Sequence, residues 1–237
     1  MTLVKRQTEV GGSENLDAML AAENYNAFLV SQLRRHLAGC RQVLDFGAGN
    51  GFFAERMQKQ GFKVVAVEPE PDLGVRIGAL GIPCVRSLEG VPAQSMDGAY
   101  SLNVLEHIED DAEALSYLYD VLVPGGVLYL YVPAFAILFS AMDRCVGHVR
   151  RYRLAELRQK CFRAGFILEA GAYADSVGYA ASLALKVFGS PDGSLDPGSV
   201  RLYDRFAFPV SRQLDRLCSS FVGKNVWVRV RRPLRSN

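Results

Sequence analysis

The sequence predicts a single α/β domain built on a doubly wound, mostly parallel sheet, with helices before the sheet and a helical cap inserted ahead of its last strand. Strand and helix patterns alternate regularly between residues 42 and 132, and glycines cluster directly after the first strand. The chain has 237 residues, of which 49% are hydrophobic, and this suffices for one such core. Sheets of this kind bind their ligands at the carboxyl ends of the strands.

The individual elements follow from hydrophobic periodicity and from breaking residues. Apolar side chains at helical spacing predict one or two helices over residues 13–38, ended by Gly39. Strands are predicted at residues 42–46, 63–67, 83–85, 98–102, 127–132, 166–172 and 226–230. Helices are predicted at residues 52–60, 72–80, 110–122, 135–142, 154–164, 177–188 and 200–221, the last interrupted at Pro209. Residues 189–199 are rich in Gly, Pro, Ser and Asp and are predicted to be a mobile loop.

Three parts follow from this order of elements. Residues 13–38 form the N-terminal helical segment, residues 40–132 a cofactor-binding core, and residues 133–237 the substrate side. Within the substrate side, residues 175–223 are long enough to form a cap over the edge of the sheet.

Charge and cysteine content exclude several classes of protein. A net charge of +2, from 27 basic and 25 acidic residues, argues against a nucleic-acid-binding protein. Five separated cysteines without a Cys-x-x-Cys pair argue against structural zinc and disulfides, so a cytoplasmic location is expected. No apolar run reaches 18 residues, the length that a membrane span requires. Peripheral membrane contact through residues 177–188 and the basic tail is the less favoured alternative.

The glycine cluster predicts a site for a nucleotide-type cofactor. Gly47, Gly49 and Gly51 allow a tight turn and let a ligand approach the main chain. Glu68 follows the second strand, where its carboxylate can accept hydrogen bonds from both hydroxyls of a ribose. The alternative for Glu68 is an ordinary solvated acid at the end of a strand.

The glycine spacing narrows the choice of cofactor. The third glycine stands one residue earlier than in the Gly-x-Gly-x-x-Gly pattern of dinucleotide folds. Asp45, inside the strand, would repel a pyrophosphate but could hold a cationic amine through water. Both departures favour a mononucleoside cofactor with an amino-acid tail.

Four segments together resemble the class I S-adenosylmethionine-dependent methyltransferases. They are Val-Leu-Asp-Phe-Gly-Ala-Gly-Asn-Gly (43–51), Val-Glu-Pro (67–69), Asp-Gly-Ala-Tyr-Ser-Leu-Asn-Val-Leu-Glu-His-Ile (97–108) and Leu-Val-Pro-Gly-Gly-Val-Leu (122–128). The resemblance covers about residues 40–132. It implies a seven-stranded Rossmann-like sheet, S-adenosylmethionine as the methyl donor and S-adenosylhomocysteine as its product.

The resemblance also implies which residues bind the cofactor. The glycines pass the methionine portion, Asp45 lies near its amino group, and Glu68 binds the ribose. Arg86-Ser87-Leu88 stands where many relatives have an acid, so the adenine contact is expected from the backbone or Ser87. Tyr25 is either a cofactor-closing residue or a core tyrosine. The full cofactor set is Tyr25, Asp45, Gly47, Ala48, Gly49, Gly51, Glu68, Pro69, Ser87, Leu88, Asn103 and Val104.

A basic run on the substrate side, Gly-His-Val-Arg-Arg-Tyr (147–152), looks like that of a subgroup of small methyltransferases met in glycan and cell-envelope biosynthesis. His148 is the candidate general base, since its ordinary pKa of about 6.5 suits that role. Arg150 and Arg151 are candidates for clamping a phosphate or carboxylate. The alternative is that they pair with the acidic residues 102–120 and fix the loop. Tyr152 and His107 complete the substrate-side candidates, although for His107 with Glu106 the favoured alternative is a structural role in fastening the loop.

The expected reaction is transfer of a methyl group by SN2 attack of an oxygen or nitrogen of a small-molecule acceptor, glycan-linked or lipid-linked. A metal-independent reaction is expected, because His36, His107 and His148 show no metal-ligand spacing along the chain. Two alternatives stay open: an NAD(P)-dependent oxidoreductase, and a non-catalytic binding protein that keeps the cofactor fold.

Overall fold

Seven strands form one sheet in a computed structural model, which describes residues 20–188 and 197–234. The strands are β1 Gln42–Phe46, β2 Lys63–Val67, β3 Cys84–Val85, β4 Met96–Leu102, β5 Leu122–Pro133, β6 Ile167–Ala174 and β7 Asn225–Arg231. Their order across the sheet is β3-β2-β1-β4-β5-β7-β6. Strands β1 to β5 pair in parallel, and β7 runs antiparallel to both β5 and β6. The predicted fold class is confirmed.

Helices occupy the connections between the strands. They are α1 Glu23–His36, α2 Phe52–Lys59, α3 Pro71–Ala79, α4 Asp111–Val121, α5 Ala141–Cys145, α6 Leu154–Arg163, α7 Ser176–Phe188, α8 Pro197–Leu202 and α9 Phe208–Cys218, with a π-helical turn at Tyr203–Ala207 between the last two. Short 3₁₀ turns lie at Leu88–Gly90, Leu105–His107 and Ala136–Leu138. No helix in the described part of the chain is long and apolar enough to cross a membrane.

Side chains alternate between two hydrophobic clusters along the central strands. Leu128 and Leu130 pack into one cluster, and Tyr129 and Tyr131 into the other, and all four are fully buried. This alternation means that helices cover both faces of the sheet, as a parallel sheet requires. The strand order reverses between β1 and β4, so the ends of these strands diverge and leave a crevice at the carboxyl edge.

Three local predictions were wrong. Residues 135–142 do not form one helix, because the chain turns through Ala136–Leu138 and restarts at α5. The predicted loop over residues 189–199 is helical from Pro197 onward, and residues 189–196 lie outside the described residues. The final helix is interrupted at Tyr203–Ala207 rather than at Pro209, which stands in the first turn of α9. A proline there costs little, because the first N–H groups of a helix have no intrahelical partner.

The start of the N-terminal helical segment, residues 13–19, lies outside the described residues, and α1 begins at Glu23. Strand β5 is longer than predicted. It includes the Pro124-Gly125-Gly126 turn residues, where the pairing with β4 shifts register between Met96 and Gly98.

Candidate active site

A cavity of about 1320 Å³ opens at the carboxyl edge of the sheet, at the crevice between β1 and β4. The ends of β1, β2 and β4 line its floor through Gly47, Glu68 and Asn103. Helix α1 contributes Tyr25, and the segment after β5 contributes His148. Helices α7 and α8 cover the cavity from the cap side. Residues distant in sequence therefore meet in one enclosed space.

Gly47 shapes the turn that leaves β1. Its φ of +79° lies in the left-handed region, and a Cβ there would come 2.3 Å from a methyl carbon of Val104. The Gly47 N–H donates to the Val67 carbonyl at 2.9 Å, which fastens the turn to the end of β2. No larger residue fits here without displacing Val104, so glycine is required at this position.

Two backbone N–H groups fix the carboxylate of Glu68 beside the glycine turn. Gly49 N–H donates to Oε2 at 2.7 Å and Glu70 N–H donates to Oε1 at 3.0 Å. The side chain is 6% exposed, and burial raises the pKa of Glu68 above its usual value. Each oxygen still has a free lone pair, so the carboxylate can accept further hydrogen bonds from a ligand in the cavity.

Asp45 lies deeper in β1. The hydroxyl of Tyr100 donates to its Oδ2 at 2.9 Å, and burial raises the pKa of Asp45 to about 7. Asp45, Ala48 and Gly51 are not among the residues that line the cavity, whereas the other nine predicted cofactor residues are. That Asp45 holds an amine of the cofactor through water stays a prediction.

Tyr25 and Asn103 both line the cavity floor. Asn103 has a φ of +54°, and its N–H donates to the carbonyl of Tyr131 at 2.8 Å. The ring of Tyr25 packs edge-on against Tyr131 and Phe208, with centroid distances of 6.3 and 5.4 Å. Burial raises the pKa of the Tyr25 hydroxyl, which stays protonated at any physiological pH. Tyr25 is thus both a packed tyrosine and a lining residue, and the two sequence alternatives are compatible.

Glu106, His107 and His148 form a second polar group in the cavity wall. The rings of His107 and His148 lie 4.6 Å apart, and His148 Nε2 is 3.7 Å from Glu106 Oε1, too long for a hydrogen bond. Neither carboxylate oxygen of Glu106 has a hydrogen-bond partner among the described residues, and the residue is fully buried. Burial raises the pKa of Glu106 to about 8 and lowers that of His107 to about 4. Both groups are therefore neutral near pH 7.

These three residues could also hold a metal ion, because one ligand atom from each lies within 4.8 Å of the others. Separation along the chain gave no sign of this, since His107 and His148 stand 41 positions apart. The histidines show no metal-ligand spacing along the chain, but the fold brings His107 and His148 together with Glu106 in space.

Asp143 orients His148. Its Oδ1 lies 2.7 Å from His148 Nδ1, and Arg151 donates to both of its oxygens, from Nε at 2.8 Å and from Nη2 at 3.0 Å. Burial alone would raise the pKa of Asp143, but the hydrogen bonds from His148 and Arg151 outweigh it and hold the pKa well below its usual range. With Nδ1–H donated to this carboxylate, His148 Nε2 is left as a proton acceptor. The sequence indicated no such role for Asp143.

Arg150 and Tyr152 do not line the cavity. Arg150 pairs with Asp111 at 2.9 Å and donates to the Glu109 carbonyl at 2.7 Å. Tyr152 is fully buried, and its hydroxyl lies 2.8 Å from Asp111 Oδ2. For Arg150 these contacts match the alternative that it fixes the loop by pairing with the acidic segment. Arg151 does line the cavity, but Asp143 already engages its guanidinium.

Two buried carboxylates in the cap accept hydrogen bonds from backbone N–H groups at the starts of other helices, and the sequence did not predict them. Asp204 accepts from the backbone N–H groups of Asn24 and Tyr25, both at 2.8 Å, and so caps α1 from 180 residues away. Asp215 accepts in the same way from Asp175 and Ser176 at the start of α7, both at 2.9 Å. Isolated Asp residues in a helical stretch give no signal of such long-range capping.

The chain matches the family model described as a methyltransferase domain over residues 13–170. A "Probable S-adenosylmethionine-dependent methyltransferase" of Mycolicibacterium smegmatis is 28% identical over 63% of this chain and 62% of its own length. A ubiquinone biosynthesis O-methyltransferase of Xanthomonas euvesicatoria is 34% identical over 41% of this chain and 44% of its own. The chain thus spans about three fifths of the first relative and less than half of the second.

The fold is also similar to that of solved structures. A SAM-dependent methyltransferase from Thermotoga maritima superposes with a TM-score of 0.61, covering 93% of this chain and 95% of its own at 17% identity. An identity this low establishes likeness of fold only.

Proposed function

The chain belongs to the class I S-adenosylmethionine-dependent methyltransferases, and from that premise we propose that it methylates an oxygen or nitrogen of a small, lipid-linked acceptor. The observation that carries the proposal is one cavity that joins the glycine turn and Glu68 at one end to His148 and an apolar chamber at the other. One cavity can therefore hold a nucleoside donor and a hydrophobic acceptor together.

The residues at the donor end fit S-adenosylmethionine. Gly47 and Gly49 line this end of the cavity, and the Glu68 carboxylate lies beside the glycine turn, where it can accept from the two ribose hydroxyls. Asn103 and Val104 border the same space and suit the sulfonium side, while Ser87 and Leu88 suit the adenine. When bound, the donor supplies an activated methyl group, so the chain's task is alignment and exclusion of water.

The acceptor end of the cavity is largely apolar. Its lining includes Leu138, Phe139, Met142, Val146, Ala181, Leu185 and Val200. Such a surface favours a hydrophobic acceptor, because burying apolar area contributes about 25 cal/mol per Å².

His148 handles the acceptor's proton in this proposal. A hydroxyl must lose its proton as the new C–O bond forms, and His148 lines the cavity with Nε2 available while Asp143 holds Nδ1. Asp143 also stabilises the imidazolium that results, since it remains ionised. Asp143 acts through His148 and is a positioning residue. The transfer is metal-independent in this scheme, because the donor needs no Lewis acid.

Titration calorimetry with S-adenosylhomocysteine and with NAD tests the donor assignment. We expect binding of S-adenosylhomocysteine and none of NAD; the reverse would favour an oxidoreductase. A screen of membrane-lipid extracts and of aqueous cell extracts, side by side, for transfer of labelled methyl tests the acceptor class. Label appearing only in water-soluble acceptors would refute a lipid-linked acceptor while leaving the methyltransferase assignment intact.

A further inference from the structure

A row of exposed apolar side chains runs along the outer side of the cap, over α8, the π-helical turn, α9 and the turn that follows α9. Its members follow one another at intervals of four, four, four, three and four residues: Leu202, Phe206, Val210, Leu214, Leu217 and Phe221, which are 63%, 60%, 54%, 43%, 80% and 78% exposed. We call them the apolar row. Val210, Leu214 and Leu217 lie on α9, where these positions fall within an arc of about 60°. Scattered surface hydrophobics are ordinary, but a contiguous row of this length marks an interaction surface.

The opposite side of the same helices faces the protein. Tyr203, Asp204 and Phe208 line the cavity, and Asp204 and Asp215 cap α1 and α7 from this side. These buried hydrogen bonds fix the orientation of the helices about their own axes. The apolar row therefore faces away from the protein. The segment up to Phe208 therefore forms part of the cavity wall, and Leu202 and Phe206 are exposed on this part.

The exposed charged side chains beside the apolar row are all cationic. Arg201, Arg205 and Arg216 are exposed, and each is the residue directly before a member of the apolar row. Within residues 198–221 the only acidic side chains are Asp204 and Asp215, and both are buried. The exposed face of this segment thus joins apolar and cationic groups without an exposed acid.

We propose that this face docks on the surface of a bilayer containing anionic lipid. An amphipathic helix with large apolar side chains and flanking arginines lies in the plane of the membrane interface, its apolar row among the acyl chains and its guanidinium groups at the phosphates. Docking places the cap, and the chamber behind it, against the membrane. The inference goes beyond methyl transfer and does not depend on it, because the docking is a property of the protein alone.

Flotation of the purified protein with vesicles tests the docking. Vesicles of phosphatidylcholine mixed with phosphatidylglycerol should carry the protein, vesicles of phosphatidylcholine alone much less, and high salt should weaken the binding. Replacing Leu217 and Phe221 together by Glu should lower the partition coefficient at least about tenfold. Arg205→Glu and Arg216→Glu should each lower it about fivefold or more, the effect of one basic residue near an anionic surface.

Matched controls come from elsewhere on the surface. Phe162 on α6 is 76% exposed and Arg76 on α3 is exposed, and neither belongs to the apolar row. Phe162→Glu and Arg76→Glu should bind mixed vesicles as the wild type does. All variants should keep the wild-type melting temperature, because the replaced side chains are exposed.

Three results would overturn the proposal. Absence of the protein from floated mixed vesicles is the first, and equal losses in the control and row variants is the second. The third is a dimer in analytical ultracentrifugation that the Leu217 and Phe221 replacements dissociate, since the row would then be covered by a second copy of the chain. Any of these would leave the S-adenosylhomocysteine titration unaffected, so the two proposals fail separately.

Discussion

Replacing Glu106 by Gln should stabilise the protein, by an amount that grows as the pH rises above 4.5. Glu106 is fully buried and neither of its oxygens has a hydrogen-bond partner among the described residues, so the folded protein resists its ionisation. Its pKa rises from 4.5 in the unfolded chain to about 8 in the fold. Between these values the folded protein holds a proton that the unfolded chain has lost, and the free energy of unfolding therefore falls as the pH rises.

The size of the effect follows from the two pKa values. Each pH unit between them costs about 1.4 kcal/mol, so the wild type loses about 3 kcal/mol by pH 7 and about 5 kcal/mol above pH 8. Below pH 4.5 the loss vanishes. The substituted glutamine side chain has nearly the same shape and does not titrate, so the stability difference between variant and wild type should grow over this window. At pH 7 it corresponds to a melting temperature higher by about 6–12 °C for a chain of this size.

Denaturant unfolding of both proteins from pH 4 to pH 9 measures this difference directly. Other buried acids, including Asp45, titrate equally in both proteins and cancel in the subtraction. Glu113→Gln on the exposed side of α4 serves as the control and should track the wild type. If the free energy of unfolding depends on pH in the same way for Glu106→Gln and the wild type, Glu106 is ionised in the folded protein. That result would refute the raised pKa of Glu106.

Three further outcomes test the site. Gly49→Val should abolish binding of S-adenosylhomocysteine in calorimetry, because Gly49 has a φ of +55° that a branched residue disfavours, so the turn that directs its N–H at Glu68 would be distorted; unchanged affinity would refute the donor assignment. His148→Ala should lower turnover about 10²- to 10⁴-fold in the labelled-methyl assay while S-adenosylhomocysteine affinity stays within about twofold; full turnover would give the loop a structural role only. Dialysis against a chelator should leave turnover unchanged; a loss that a divalent cation restores would show that Glu106, His107 and His148 are metal ligands and that Nε2 is not the base.

The sheet and the donor end of the cavity could be predicted because their signals are local. The alternation of strand and helix patterns over residues 42–132, and the glycines between them, depend on a few neighbouring positions each. Glu68 could be placed beside the glycine turn because adjacent parallel strands end at the same edge of a sheet.

The acceptor side could not be predicted in the same way. His148 meets Glu106 across 42 residues of chain, and Asp204 caps α1 across 180, so no window of sequence contains either pair. Arg150 and Arg151 are neighbours in a basic run, yet one pairs with the buried Asp111 outside the cavity and the other with Asp143 in the cavity wall. Which of two adjacent arginines faces a site is decided by the path of the loop, and composition carries no information about that path.

The position of β7 has a consequence for how the protein folds. This strand follows the cap in the chain but pairs on both sides, with β5 and with β6. Residue Arg231 lies opposite Val127, 104 positions earlier, and opposite Ile167, 64 positions earlier. Strands β1 to β5 can assemble from shorter loops, whereas β6 has no neighbour in the described sheet until β7 arrives. Because closing long loops slows folding, the backbone amides of β6 and β7 should be the last to gain protection from hydrogen exchange during refolding.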